Sequence, residues 1–105
     1  MLTDLQQKEL DLAEEKLIRS LFNGSLEPSP VISLALNTFK IDPNKYIQEF
    51  EGRIKPYLNG AGLVDGTKLK NALQTKYPKV ARWIPIGTFR LVDVVDELII
   101  LIRGV

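Results

Sequence analysis

The segment at residues 88–105, TFRLVDVVDELIILIRGV, constrains the fold more than any other part of the chain. Wound as a helix at about 100° per residue, it gathers Leu91, Val94, Val95, Leu98, Leu101 and Ile102 on one side, flanked by Val92 and Ile99. The other side carries Arg90, Asp93, Asp96, Glu97 and Arg103. An apolar face covering about half the circumference needs neighbours on two or three sides. The segment is therefore predicted to be the central helix of a bundle, over about residues 88–103. Its Leu-Ile-Ile-Leu-Ile run favours extended chain, but three acids at helical spacing oppose a strand. The uninterrupted apolar run is too short to span a membrane, and acids sit within the segment. Thr88 is the predicted N-cap and Gly104 the predicted stop. Asp93 near the start and Arg103 near the end both suit the helix dipole. Phe89 and Ile100 do not fit the stripe and point to the polar side.

The preceding chain divides into shorter helical patterns. Residues 3–22 carry a stripe of Leu10, Ala13, Leu17 and Leu21, widened by Ile18 and Phe22, with Thr3 as cap. Asp4 with Lys8 and Glu15 with Arg19 are oriented for i,i+4 pairing. Asn23-Gly24 is the predicted stop, followed by a loop through Pro28. Ser29-Pro30 and Asp42-Pro43 each pair a capping residue with proline at the first helical position. They predict helices over 30–40, short and largely buried, and over 43–55. The second of these places Tyr46, Ile47, Phe50 and Ile54 inward, with Glu49–Arg53 and Glu51–Lys55 outside. Pro56 continues that apolar pattern, but its ring clashes with the carbonyl of Gly52, so a kink or break is expected there. Residues 67–76, capped by Thr67, form a fourth predicted helix. One or two turns over 78–84 should turn Val80, Trp83 and Ile84 to the core. With no alternating pattern to support a sizeable sheet, the fold class is all-α: one domain over residues 1–105, a compact bundle of five or six short helices.

Composition removes whole classes of chemistry. The chain has no histidine and no cysteine. The commonest general base and the commonest transition-metal ligand are both missing, and Ser–His and Cys–His mechanisms fall with them. Disulfides and thiolate metal sites are excluded. No secretory pattern opens the sequence, and a cysteine-free chain suits a reducing cytoplasm, which is the expected location. The cluster of Gly60, Gly62 and Gly66 does not make a phosphate loop, because Ala61 holds the first glycine position and Thr67-Lys68 reverses the required order. A dinucleotide fingerprint fails at Asp65. The carboxylate pairs Glu14–Glu15, Asp93–Glu97 and Asp96–Glu97 are assigned to solvated helix faces. Neither cofactor nor metal is expected.

Charge is uneven along the chain. Residues 1–28 carry a net −3, residues 29–64 a net +1, residues 65–90 a net +5 and residues 91–105 a net −2. The basic block consists of Lys68, Lys70, Lys76, Lys79, Arg82 and Arg90, interleaved with Tyr77, Trp83 and Phe89. Two expectations follow. The first is a non-enzymatic protein-interaction or assembly module, with self-association as one form of it, docking through Phe89, Asp93, Asp96, Glu97 and Ile100. Two large apolar groups ringed by charge resemble a small interface core with a polar rim. The alternative is a nucleic-acid-binding domain using residues 65–90, in which the cations contact phosphate and the aromatics stack on bases. The two separate on whether the six cations share one exposed face.

Overall fold

The computed structural model describes residues 2–23 and 30–104. Six α-helices appear among these residues: α1 (Asp4–Phe22), α2 (Pro30–Thr38), α3 (Pro43–Ile54), α4 (Gly66–Gln74), α5 (Pro78–Ala81) and α6 (Leu91–Arg103). A 3₁₀ turn, Lys55–Tyr57, follows α3. Two short strands, β1 (Val64–Asp65) and β2 (Thr88–Phe89), pair antiparallel, Val64 opposite Phe89 and Asp65 opposite Thr88. The fold is all-α with this one small ribbon. The expectations for Gly24, for the loop up to Pro28 and for Ser29 lie outside the described residues.

Local signals set most boundaries. Thr3 caps α1 in a full capping box, its hydroxyl accepting from the Gln6 amide while the Gln6 side chain accepts from the Thr3 amide. Asp42 caps α3 by accepting from the Asn44 amide at 3.1 Å. The break at Pro56 is real: α3 ends at Ile54 and the chain tightens into the 3₁₀ turn. Helix α2 stops at Thr38, two residues earlier than expected. Lys40 adopts a left-handed φ of 56°, and the Ile41 amide donates to the Leu36 carbonyl, closing a Schellman turn on a lysine.

Three expectations are corrected. The cap of α4 is Asp65, whose carboxylate accepts from the Thr67 and Lys68 amides; Thr67 instead donates its hydroxyl to the Ile86 carbonyl. Helix α6 starts at Leu91, with Arg90 at the cap position, because Thr88 and Phe89 are drawn into β2. Trp83 does not enter the core; it is 40% exposed, while Val80 and Ile84 are buried beside it.

The core forms where α6 packs against α1, α2 and α3. Leu98 and Leu101 have no exposed surface, and Ile102 is buried. They join Leu17, Leu21, Phe50 and Ile54 in one apolar cluster, which makes α6 the central element. The ribbon ties the starts of α4 and α6 together. The Gly66 amide donates to the Gly87 carbonyl at 2.9 Å, and a Cβ on Gly66 would lie 1.8 Å from the Pro85 carbonyl oxygen. Only glycine admits that approach.

Candidate functional site

A buried carboxylate organises the most polar part of the interior. Glu14 lies on α1 at 4% exposure and accepts four hydrogen bonds. The Tyr46 hydroxyl donates to one carboxylate oxygen at 2.6 Å, and the Tyr77 hydroxyl donates to the other. The Arg53 guanidinium reaches both oxygens, at 3.1 and 2.5 Å. Burial alone would push the Glu14 carboxyl up, but Arg53 and the two hydroxyls outweigh it and hold the group below the usual carboxylate range. Burial and the Glu14 charge together drive both tyrosine hydroxyls far above their ordinary values. The cluster is thus a fixed ionic one: a carboxylate that stays ionised and two phenols that stay protonated. Neither is poised for proton transfer near neutral pH, where a general acid or base needs its pKa.

This corrects the assignment of Glu14 to a solvated face. Glu14 stands four residues after Leu10 and three before Leu17, inside the apolar stripe of α1, and that spacing was the available signal. Arg53 was expected to pair with Glu49 but crosses to Glu14, whereas Lys55 does sit 3.9 Å from Glu51.

Beside the cluster lies an open groove of about 420 Å³. Ile18 and Phe22 of α1, Phe50 and Ile54 of α3, Pro56 and Tyr57 of the 3₁₀ turn, and Leu69, Ala72 and Leu73 of α4 line it. Its charged lining is the buried Glu14 with Arg53 and Lys76, whose side chains are 52% and 51% exposed. A molecule entering the groove therefore meets apolar walls and cationic heads. Lys76 also pairs with Asp11 of α1 at 3.3 Å and lies over the Tyr77 ring, 5.4 Å from its centroid.

The expected docking face keeps Asp93, Asp96, Glu97 and Ile100 on one side of α6 but loses Phe89. Phe89 belongs to β2 and meets Phe22 edge-on at 5.8 Å, packed against the core, so it does not stand beside Ile100 on a helix face. Ile100 is half-buried, Asp93 and Asp96 are exposed, and Glu97 is half-buried. Burial and the Asp93 carboxylate push the Glu97 carboxyl up. Among the described residues the most exposed large apolar side chains, Leu5, Leu12, Leu34 and Ile86, lie outside α6, whose own exposed one is Val92.

The six basic residues do not share one face either. Lys76 pairs with Asp11, and Arg90 stands 3.9 Å from Asp93. Lys68 and Lys70, two positions apart on α4, fall on opposite flanks of its buried Leu69. Only Lys79 and Arg82 line a common groove, where they meet Lys16 and Arg19 from α1. Among the described residues no group of three or more acidic side chains could hold a metal ion, and no helix is long and apolar enough to cross a membrane. Comparison with family models, with curated proteins and with solved structures finds no match to this chain.

Proposed function

We propose that the chain is a non-enzymatic protein-interaction module that docks an amphipathic segment of a partner protein in the groove between α1, α3 and α4. The observation that carries this reading is the character of that groove. Its walls are apolar, and its solvent-facing charges are the heads of Arg53 and Lys76. The complementary ligand is a segment with one or two apolar anchors and acidic flanks, as in helix-in-groove recognition. The Glu14 cluster supports the non-enzymatic part, since its groups are held away from neutral titration. The splitting of the basic block, with Lys68 and Lys70 on opposite flanks of Leu69 and with Lys79 and Arg82 turned to α1, also favours a protein partner over a nucleic-acid face spanning residues 65–90. A reducing cytoplasm suits a chain without cysteine.

The test is titration with a synthetic helical peptide carrying leucines at i, i+3 and i+7 and glutamates beside them. Amide shifts should saturate and stay confined to groove residues of α1, α3 and α4. Filling the groove with Ala72→Trp, at an exposed position, should abolish them while leaving thermal stability unchanged. Shifts that never saturate, or that survive Ala72→Trp, remove the reading. Sedimentation of the protein alone separates the self-associating form: a mass above the monomer that Ala72→Trp reduces would make a second copy the occupant.

A further inference from the structure

We propose that a second groove, between α1 and α5, is a binding site for single-stranded nucleic acid. It shares no lining residue with the apolar groove, so its test is independent of the function proposed above. The groove encloses about 410 Å³ and is lined by Lys16 and Arg19, by Lys79 and Arg82, and by Trp83. Its assembly follows from the fold. Lys16 and Arg19 lie three apart on α1, Lys79 and Arg82 lie three apart on α5 and its C-cap, and the two helices pack together. Buried Val80 and Ala81 anchor the α5 side.

Two properties point to this ligand. The first is charge without counter-charge. Glu15 is the one acid in the lining, and none of the four cations has a carboxylate within ion-pair distance among the described residues. Four cations gathered about one groove with a single acid repel each other, and a phosphodiester backbone would relieve that repulsion. The second is Trp83, 40% exposed, with the Arg82 guanidinium 5.4 Å from its ring centroid. An indole and a guanidinium among cations offer a stacking platform that an unpaired base can use. Bases in a duplex already stack on each other, and an acidic peptide needs the cations but not the indole.

Trp83 is the only tryptophan of the chain, so intrinsic fluorescence reports this groove directly. The probes are oligo(dT) and oligo(U) of about ten nucleotides, within the usual footprint of such sites. Either should quench Trp83 saturably at low salt, and the difference between them tells DNA from RNA. Four phosphate contacts predict a slope of about −3 for log affinity against log salt, at about −0.7 per contact. Joint reversal by Lys79→Glu and Arg82→Glu should weaken binding at least ~10-fold with helix content unchanged. If that pair fails to fold, Lys79→Gln with Arg82→Gln carries the same test. Trp83→Ala, read by anisotropy of a labelled strand, should lose about tenfold. Lys68→Glu with Lys70→Glu should bind as the unaltered protein does. The proposal is overturned by absence of saturable quenching, or by a duplex of equal length binding as tightly. It is equally overturned if inorganic polyphosphate or polyglutamate binds as tightly as the oligonucleotides, which would make the groove a general anion or acidic-protein surface.

Discussion

A carboxylate removed from water costs several kcal/mol unless its lone pairs are filled, and Glu14 shows how the chain meets that demand. Two phenols and a forked guanidinium, from α3 and from the residue just before α5, converge on one side chain of α1. Replacing Glu14 with glutamine should destabilise the fold by about 3 kcal/mol at neutral pH. That is the lower end for a broken buried pair, because half-exposed Arg53 can rehydrate while two hydroxyls lose an anionic acceptor. Denaturant unfolding of the two proteins measures it. The sign of the pH dependence follows from the depressed carboxyl. The stabilisation is complete above the unfolded glutamate value of about 4.3 and is lost as pH falls through the lower folded value. The gap in unfolding midpoint between wild type and Glu14→Gln should therefore narrow as pH drops below about 4. A constant gap would mean that Glu14 holds the fold by shape and not by charge.

At the scale of elements, α6 carries the core and the ribbon positions its start. Leu98 has no exposed surface and sits among side chains of α1 and α3. Leu98→Ala should cost about 2–5 kcal/mol, from lost burial and from the cavity left behind. An unmoved denaturation midpoint would remove α6 from the centre of the fold. The ribbon depends on Gly66 in a different way. A Cβ there would collide with the Pro85 carbonyl oxygen at 1.8 Å and come within 2.6 Å of that of Gly87. Gly66→Ala must therefore push the 85–87 backbone away and break the hydrogen bond that the residue-66 amide donates to the Gly87 carbonyl. We expect it to destabilise by more than the ~1 kcal/mol that alanine would otherwise add in helix propensity, measured in the same unfolding assay.

For the whole molecule, segregated charge along the chain becomes two different things in space. Part of it is neutralised internally, where Lys76 of the basic block meets Asp11 of the acidic helix. The rest is concentrated, because α5 brings Lys79 and Arg82 up to two cations of α1 that are about 60 residues away in sequence. The result is two grooves with opposite demands. One is apolar, with Arg53 and Lys76 at its rim, each paired within the chain; the other gathers four cations beside an exposed indole. Their separate linings let Ala72→Trp and the Lys79, Arg82 variants report on one groove each.

Short-range physics made the helices legible. Caps at Thr3 and Asp42, prolines at Pro30 and Pro43, the break at Pro56, the left-handed Gly104 and the apolar stripe of α6 all act within a few residues. The all-α class and the central place of α6 follow from them. Where a boundary depended on distant chain, sequence reasoning missed it. Phe89 left the α6 pattern because Val64 offered a strand partner and Phe22 a ring. Lys40 ended α2 without the glycine that marks such turns. Both grooves belong to this second kind. The periodicity of α1 already put Glu14 on an apolar face, but its partners are 32, 39 and 63 residues away. Sequence spacing pairs Arg19 with Glu15, but no ion pair forms between them, and with Lys16 it meets Lys79 and Arg82 only because α5 folds against α1. A short helix leaves local marks in composition, whereas a binding surface is made of side chains that only tertiary packing brings within reach of one another.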